Sequence, residues 1–520
     1  MNAKKIIAII LALVLCVGLL AGCGPKTPNT PSTPGTSDQP GTSDKPGTPA
    51  TNEPSQGEVT EIVVQLINFG FTDPDLELVQ NEINKISEAK IGVRVKFQTT
   101  PIFEMATKLG LAVSGNEQID LVCTGLLTNP ATLVSQGLLQ PITEYVNNSE
   151  ILSSKAGDLV KACTVNGEIY AYPGTYYPGQ ATGLLYDVDL ANEYGIKMPE
   201  RITAPSDLTN ILEQVANSGM PCYGITIGDG ANCDRNFGHA WDGLGDNFYA
   251  SYGVIMDPIN GTEVVNWFAT PEYEAQVRLH QDWFNKGYVV TDSLSNGVTN
   301  TDSMAAGQAF CSVTVYSTGQ GLDFFRTATG KNVGIIPITD GILTTDAVIN
   351  NSWGVPVHSK NVEAAIKFAE LINSDPAVGA LYQYGIEGVH YVKQSDRVIR
   401  YADGIDAGSC PYGSFIPMFG DMMQLPVRAP LDESTYDLYQ QMGPDAQTAK
   451  FLGYSFNPTN VAAQVTAVQA VIQKYGPALV VGAGDVDTML PKFLAELEDA
   501  GINDIIAENQ KQIDAWLAAQ

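Results

Sequence analysis

The chain has 520 residues, of which 44% are hydrophobic and 8% aromatic, enough apolar material for the cores of two domains or lobes. With 28 basic and 57 acidic residues the formal net charge is −29, which argues against a nucleic-acid-binding surface and against a basic patch for lipid headgroups. The acidic residues are spread along the sequence, so the charge indicates a soluble exterior and identifies no partner.

The amino terminus has the pattern of a bacterial secretion signal. Lys4 and Lys5 precede an apolar run from Ile6 to Leu20, and small residues follow it. The run is short for a membrane span and no stop-transfer charges follow, so we predict a signal peptide over residues 1–22. Residues 23–57 are rich in Pro, Thr, Ser and Gly and contain a repeated PGTSD motif, a composition typical of an extended tether.

The globular part begins with alternating strand and helix patterns, which predict an α/β fold with a parallel sheet covered by helices. The predicted elements are a strand at Glu61–Ile67, a helix starting near Pro74, a strand at Ile91–Gln98, a helix at Phe103–Val113 and a strand at Gln118–Cys123. Because open parallel sheets bind ligands beyond the carboxyl ends of their strands, Asn68, Phe69 and Thr124 are candidate ligand contacts.

Further apolar runs predict a second sheet and a helical carboxyl-terminal region. The predicted strands are Gly183–Tyr186, Tyr223–Ile227, Ala309–Val315 and Val333–Ile336. The predicted helices are Ser206–Ser218, Pro271–Lys286, Asn361–Asn373, Pro376–Tyr384, Thr459–Tyr475, Asp487–Ala500 and Ile502–Ala518.

The cysteines indicate little cross-linking. Cys123 and Cys311 lie in apolar strand patterns, where buried free thiols are common. An exported protein can form disulfides, so one bridge between Cys222 and Cys233 remains possible.

Enzyme signatures are missing from the sequence. There is no nucleophile elbow, no zinc-protease helix motif and no phosphate-binding loop, and the four histidines are scattered. No pair of carboxylates stands in a glycosidase-specific motif. We therefore expect no catalytic activity, no cofactor and no metal site.

Several segments in order are similar to one family. The Leu20–Cys23 sequence LAGC resembles the lipobox of bacterial lipoproteins, in which the cysteine is diacylated, so Cys23 is the predicted lipidation site. GNEQIDLVCTG with SQGLLQPITEYV, NGEIYAYPGTYYPGQATGLLYDVDLANEYGIKMPE, and NNSWGVPVHSKNVEAAIKFAELINSD resemble extracellular solute-binding proteins of sugar-uptake ABC transporters. YGIEGVHYV and the ending from Leu452 resemble a Gram-positive lipoprotein subgroup that carries a carboxyl-terminal domain of unknown function.

The resemblance implies a type II periplasmic-binding-protein-like fold of two α/β lobes. By analogy, crossing strands join them near Gly174–Ala181, Val313–Ser317 and Asn351–Pro356. Lobe 1 would comprise residues 59–176 plus 317–350, and lobe 2 residues 177–316 plus 351–520.

The functional implication is capture of a small molecule, an oligosaccharide by the family resemblance, by hinge closure and its delivery to ABC permease subunits. The protein would be a monomer on the extracellular face of the cytoplasmic membrane of a Gram-positive bacterium, held there by its lipid anchor alone. The alternatives are an anchored polysaccharide hydrolase and a surface adhesin or sensor without a transport role.

Aromatic and polar residues at the implied crossings and loops suit a sugar, which offers hydroxyls and flat C–H faces. The candidates are Tyr176, Tyr177, Trp241, Asp242, Tyr316 and Trp353. Packing between lobes is the alternative for the two tryptophans, and hydrogen bonding to the crossing strands is the alternative for the tyrosines. Trp267, Trp283 and Trp516 lie on apolar or helical patterns, so we expect them in a core.

Overall fold

The computed structural model describes residues 59–68, 72–174, 179–227, 241–246, 250–291, 298–317, 322–416, 418–443 and 445–519. The predicted signal peptide, Cys23 and the tether lie outside the described residues, as do Phe69, Tyr176 and Tyr177. No helix in the described ranges is both long and apolar enough to cross a bilayer.

Strands and helices alternate through most of the chain. The strands are β1 (Thr60–Asn68), β2 (Val93–Pro101), β3 (Val122–Cys123), β4 (Thr164–Val165), β5 (Glu168–Ile169), β6 (Ala171–Pro173), β7 (Gln180–Asp187), β8 (Tyr223–Thr226), β9 (Ala309–Ser317), β10 (Val333–Pro337), β11 (Ile342–Leu343), β12 (Ser352–Gly354), β13 (Tyr391–Lys393), β14 (Val398–Tyr401), β15 (Phe415–Ile416), β16 (Val427–Arg428) and β17 (Gln447–Thr448). The α-helices are α1 (Leu76–Ile91), α2 (Met105–Gly115), α3 (Pro130–Ser135), α4 (Thr143–Asn148), α5 (Glu150–Ala156), α6 (Val188–Tyr194), α7 (Pro205–Ser218), α8 (Pro271–Asn285), α9 (Asn300–Ala305), α10 (Leu322–Thr329), α11 (Thr345–Ile349), α12 (Val362–Ser374), α13 (Pro376–Tyr384), α14 (Thr435–Met442), α15 (Ala462–Val481), α16 (Val486–Asp499) and α17 (Ile502–Ala518).

The first lobe is organised around β1 and β2, which pair in parallel along their whole length. Leu121 bridges Val64 in parallel, so β3 extends this arrangement on the other side of β1. Strand β12 runs antiparallel to both β3 and β6. The carboxyl ends of β1, β2 and β3 therefore lie at one edge of the lobe, the edge at which β12 begins.

Local sequence explains the edge strand β2. Val93, Val95 and Phe97 are buried and the residues between them are exposed, which is the period of two that a strand requires. The Asn84 side chain of α1 donates to the Val95 carbonyl at 2.9 Å and accepts from the Val95 N–H at 2.7 Å. This amide satisfies backbone groups that have no neighbouring strand on that side.

Trp353 of β12 lies in the core of the first lobe. Its side chain is 0% exposed, and its ring centroid lies 5.3 Å from that of Tyr172 and 5.9 Å from that of Phe419. Phe368 of α12 and Tyr382 of α13 belong to the same apolar cluster. The chain after residue 352 therefore completes the core that β1 begins.

The second lobe contains a sheet with β7 near its centre. Strands β9 and β10 pair with β7 in antiparallel fashion on its two sides, and β8 runs parallel to β9. Helices α15, α16 and α17 pack with α8 and the segment around Trp267. Trp267 and Trp283 are fully buried in this lobe, as predicted.

The predicted lobe boundaries are wrong after residue 316. Strand β9 pairs with β7 from Cys311 to Ser317, so Val313–Ser317 stays inside the second sheet and is not a crossing. The segment 317–350 contains β10 and β11, which also pair with β7, and it belongs to lobe 2. Conversely, 351–520 is divided, because the elements from β12 to β15 complete the lobe 1 core.

Three chain segments cross between the lobes, and they lie side by side. The first runs from β6 to β7, where it was predicted; the second runs from β11 through α11 to β12, immediately before the predicted Asn351–Pro356. The third, from α14 to β17, was not predicted. The Gly174 N–H donates to the Asn351 carbonyl at 3.2 Å, and the Gly179 N–H donates to the Met442 carbonyl at 2.8 Å. The first crossing is therefore hydrogen-bonded to both of the others.

The cysteine predictions are confirmed for Cys123 and Cys311, which are buried free thiols. Cys222 is also free, so the possible bridge to Cys233 is not formed in this structure; Cys233 itself lies outside the described residues.

Candidate functional site

The short helix α11 lies at the junction of the two lobes. All five of its residues are buried. Val348 and Ile349 pack with Cys163 of the first lobe and with Leu452 of the second. The Thr345 hydroxyl donates to the Phe451 carbonyl at 3.2 Å. Because α11 contacts both lobes, its position marks the junction, and the loops of each lobe can be described by their contacts with it.

A loop of the first lobe, residues 124–127, lies against the carboxyl end of α11. Thr124 is fully buried, its N–H donates to the Ser352 carbonyl at 2.9 Å, and its hydroxyl is 2.7 Å from that of Ser352. A Cβ on Gly125 would lie 1.8 Å from the Ile349 carbonyl oxygen, so only glycine allows this approach.

The same loop carries an unusual backbone conformation. Leu126 has a φ of 63°, a conformation that non-glycine residues rarely adopt and that costs of the order of 1 kcal/mol. Its side chain is buried, and the next side chain, Leu127, is exposed. The turn therefore places an apolar side chain at the carboxyl edge of the first lobe.

A segment of the second lobe, residues 241–246, also approaches α11. A Cβ on Gly243 would lie 3.3 Å from the Asp346 carboxylate of α11, which shows how closely the segment approaches. Leu244 has a φ of 56°, a second non-glycine residue in the left-handed region. Since α11 is only about 7.5 Å long at 1.5 Å per residue, the two strained loops approach a very short helix.

Asp242 is the most unusual titratable group of this segment. Its carboxyl is buried, and burial raises its pKa to about 6. One oxygen accepts from the Leu244 N–H at 3.0 Å, but within the described residues no donor reaches the other oxygen. A buried carboxylate oxygen without a donor is costly unless another molecule supplies one.

Trp241 provides a complementary group beside it. Its ring packs 6.3 Å from that of Trp267, and its buried indole N–H meets no acceptor among the residues that the structure describes. Asp242 and Trp241 thus offer one unpaired acceptor and one unpaired donor next to each other in sequence. A hydroxyl group could pair with either of them, since it both donates and accepts.

Carboxylates and tyrosines surround the segment. Asp246 accepts hydrogen bonds from the backbone N–H groups of Ser251 and Tyr252, at 2.5 and 3.1 Å. Burial raises the pKa of Tyr252, and the nearby carboxylates Asp246 and Asp346 raise it further. In the described ranges, no three His, Cys, Asp or Glu side chains form a group suited to a metal ion.

The other predicted site residues are more buried than expected. Asn68 is 3% exposed at the end of β1. Tyr316 is 5% exposed, with its ring close enough to Gly183 that a Cβ there would lie 2.8 Å away. For Tyr316 and Trp353 the burial in this structure favours packing over lining of the cleft. The structure brings Thr124 and Trp353 close to the carboxyl end of α11, and the segment that holds Trp241 and Asp242 approaches α11 at Asp346.

Sequence analysis missed an exposed aromatic residue at the carboxyl edge of the first lobe. Phe103 is 82% exposed and immediately follows β2, in a turn whose neighbouring Ile102 is buried. It was included in a predicted helix, so its position beyond a strand end was overlooked. The signal that could have identified it is its position, two residues after the proline that ends β2.

Comparison with known proteins gives matches over nearly all the described globule. Residues 83–389, more than half of the chain, match a family model described as bacterial extracellular solute-binding protein. Residues 450–518 match a model described as a domain of unknown function (DUF3502). A carbohydrate ABC transporter substrate-binding protein of Streptococcus pneumoniae serotype 4 is 22% identical over 462 residues, which cover 88% of this chain and 91% of that protein.

Solved structures show the same fold. The N-glycan transport solute binding protein from Streptococcus pneumoniae matches with a TM-score of 0.76 at 22% identity, over 88% of this chain and 99% of that one. Its complexes with Man1GlcNAc and Man5GlcNAc match with TM-scores of 0.71 and 0.70 at 21% identity, over 88% and 89% of this chain and 100% and 99% of theirs. The predicted α/β fold of two lobes is therefore confirmed.

Proposed function

Because the chain belongs to the bacterial extracellular solute-binding proteins, we propose that it captures an oligosaccharide for an ABC importer. The observation that supports this most directly is the arrangement around α11. Two strained loops, one from each lobe, approach a helix at the crossings, and the loop of the second lobe carries polar atoms of Trp241 and Asp242 that have no partner among the described residues. The similarity to a streptococcal carbohydrate ABC transporter substrate-binding protein and to the N-glycan transport solute binding protein supports a carbohydrate ligand.

The chemistry of this site suits sugar hydroxyls. Hydroxyls of the ligand would donate to the carboxylate oxygen of Asp242 that has no donor among the described residues and accept from the indole N–H of Trp241. Both groups are held in place, Asp242 through Leu244 and Trp241 through Trp267, but both atoms are buried here, so a ligand would reach them only after the chain around them moves. Such prearranged polar groups lower the cost of binding.

Closure of the lobes would couple binding to transport. The three crossings are adjacent and hydrogen-bonded, so a small rotation in them can move one lobe against the other while each core stays intact. A ligand that contacts both lobes stabilises the closed form in proportion to its extra contacts there. The closed protein is the form that we expect the permease subunits to receive.

The sequence of the amino terminus supports a lipid anchor. Cleavage after residue 22 and acylation of Cys23 would hold the globule to the outer face of the cytoplasmic membrane through the 23–57 tether. We expect a monomer, and a Gram-positive host. A mass spectrum of the mature amino-terminal peptide with a diacylglycerol-modified Cys23 would establish the anchor.

Calorimetric titration of the mature protein, purified in detergent, with Man1GlcNAc, Man5GlcNAc and kestose tests the ligand class. We expect saturable binding of at least one of these saccharides and its recovery intact after incubation. Binding that fails throughout a wider oligosaccharide panel would contradict the proposal, and recovery of shortened products would instead support a hydrolase.

A further inference from the structure

The carboxyl edge of the first lobe presents an apolar ring far from the lobe junction. Phe103 is 82% exposed, the highest value among the large apolar side chains of the described residues, followed by Leu111 at 66%. Burial of a phenylalanine side chain stabilises a folded protein, so a ring left this exposed gives up most of that contribution.

The backbone fixes the position of this ring. Phe103 follows β2, whose last residue pairs with the last residue of β1, Asn68. Buried Ile102 and Met105 attach the turn to the core on either side of it. The ring therefore stands at the same edge as the loop 124–127, which contacts the junction helix α11.

The distance between these two points can be worked out from the strand order. From β12 at the junction the order is β3, β1 and then β2, so three strand spacings separate β12 from β2. At about 4.8 Å per spacing, the ring lies about 14 Å from the junction along the edge. One hexose ring seated at α11 does not cover that distance.

A second apolar side chain stands on the same edge nearer the junction. Leu127 is 43% exposed, and the left-handed conformation of Leu126 places it there. Two exposed apolar side chains spaced along one edge match successive residues of an oligosaccharide, whose C–H faces pack on apolar groups.

We propose that Phe103 stacks on a sugar residue remote from the lobe junction, so that this protein prefers longer oligosaccharides to mono- and disaccharides. The inference rests on the proposed function and adds to it the length of the ligand and the residue that senses it. Phe103 acts as a specificity-determining contact, while the residues around α11 bind the sugar unit at the junction.

Replacement of the ring tests this directly. In the mature detergent-purified protein, Phe103→Ala is expected to weaken binding of Man5GlcNAc about threefold to tenfold, the range expected for loss of one stacking contact. Binding of Man1GlcNAc is expected to change by less than about twofold, because a disaccharide at the junction does not reach the ring. Phe103→Trp is expected to restore the affinity, and its emission is expected to shift when Man5GlcNAc binds.

Leu111→Ala is the matched control. Leu111 is also apolar and exposed, but it lies six residues along α2 from Met105, about 9 Å towards the opposite edge. This variant is expected to bind both saccharides as the unmodified protein does.

The outcomes separate the two proposals. If the unmodified protein binds Man5GlcNAc and Phe103→Ala binds it equally well, the inference is wrong and the proposed function stands. An equal loss for both saccharides would also overturn the length preference. If the unmodified protein binds no oligosaccharide of a wider panel, the proposed function fails and the inference fails with it.

Discussion

Replacing Asp242 by asparagine is expected to stabilise the folded protein near neutral pH while weakening saccharide binding. The carboxyl is buried, its pKa is raised to about 6 from the usual 3.8, and one of its oxygens has no donor among the described residues. A difference of about 2 pKa units corresponds to about 3 kcal/mol, which the folded protein loses when this group ionises. The asparagine removes the charge, but its NH₂ group then lacks an acceptor, which costs about 1–2 kcal/mol.

The net gain in unfolding free energy is therefore expected to be about 1–2 kcal/mol at pH 7. Because the pKa of Asp242 is higher in the folded than in the unfolded state, its contribution is fully present below pH 3.8 and is lost as the pH rises through about 6. The asparagine variant is thus expected to gain most relative to the unmodified protein at pH 7 and little or nothing at pH 4. Binding of a hydroxyl donor to the carboxylate is expected to weaken by about tenfold or more.

Urea unfolding of both proteins at pH 4 and pH 7 measures the stability difference, and calorimetric titration measures the affinity. Asp246→Asn is the control, since Asp246 is buried but accepts hydrogen bonds from Ser251 and Tyr252, and this variant is expected to be less stable at both pH values. An Asp242→Asn variant with a pH-independent loss of stability would refute the reasoning, because the carboxylate would then have partners in the folded protein.

Three further predictions concern packing and titration. Gly125→Ala is expected to lower the unfolding free energy by at least about 2 kcal/mol, because its Cβ would lie 1.8 Å from the Ile349 carbonyl oxygen; Gly110→Ala, whose Cβ meets nothing within 4 Å in helix α2, should be neutral or slightly stabilising by the same urea assay. Trp353→Ala is expected to cost about 3–5 kcal/mol, since the side chain is 0% exposed in the lobe 1 core, and a thermal unfolding midpoint unchanged from that of the parent would instead place the ring in the cleft. The pKa of His280 is lowered to about 4 by burial, so its neutral form stabilises the fold above pH 6.5 and that contribution of about 3 kcal/mol is lost as the pH falls through 4; His280→Gln should flatten this part of the stability profile, and an unaltered profile would argue against a buried neutral ring.

Local signals in the sequence predicted most elements because capping side chains, prolines and glycines determine where helices begin and end. Helices α13 and α17 have the predicted bounds: Asp375 caps α13 through the Ala377 N–H at 3.0 Å, and Gly501 precedes α17 in a left-handed conformation. Helix α15 was predicted to end at Tyr475, but it continues through Pro477 to Val481. Packing of the helix in the second lobe outweighs the local cost of that proline.

The division into lobes could not be read from the sequence for a different reason. The run AFCSVTVYS of β9 is apolar whether the strand crosses between lobes or lies within one sheet, and only its pairing with β7 decides. Trp353 shows the same limit, because an aromatic residue beside a crossing is equally compatible with a cleft and with a core.

The candidate site was predicted in part. Thr124 was identified from its position after a strand and Asp242 from its place beside Trp241 in a loop, but the burial of Asp242 depends on its backbone pairing with Ile255, and the role of α11 depends on contacts from both lobes. Phe103 was missed because an exposed aromatic residue cannot be distinguished from a buried one by periodicity alone.

Small-angle X-ray scattering of the mature protein with and without Man5GlcNAc tests the central claim, that two lobes close on a saccharide at the crossings around α11. The account predicts a smaller radius of gyration at saturating saccharide, with half of the change reached at the concentration at which calorimetry shows half-saturation, and a weaker response in the Asp242→Asn variant. Saccharide that binds saturably and leaves the scattering profile unchanged would contradict it.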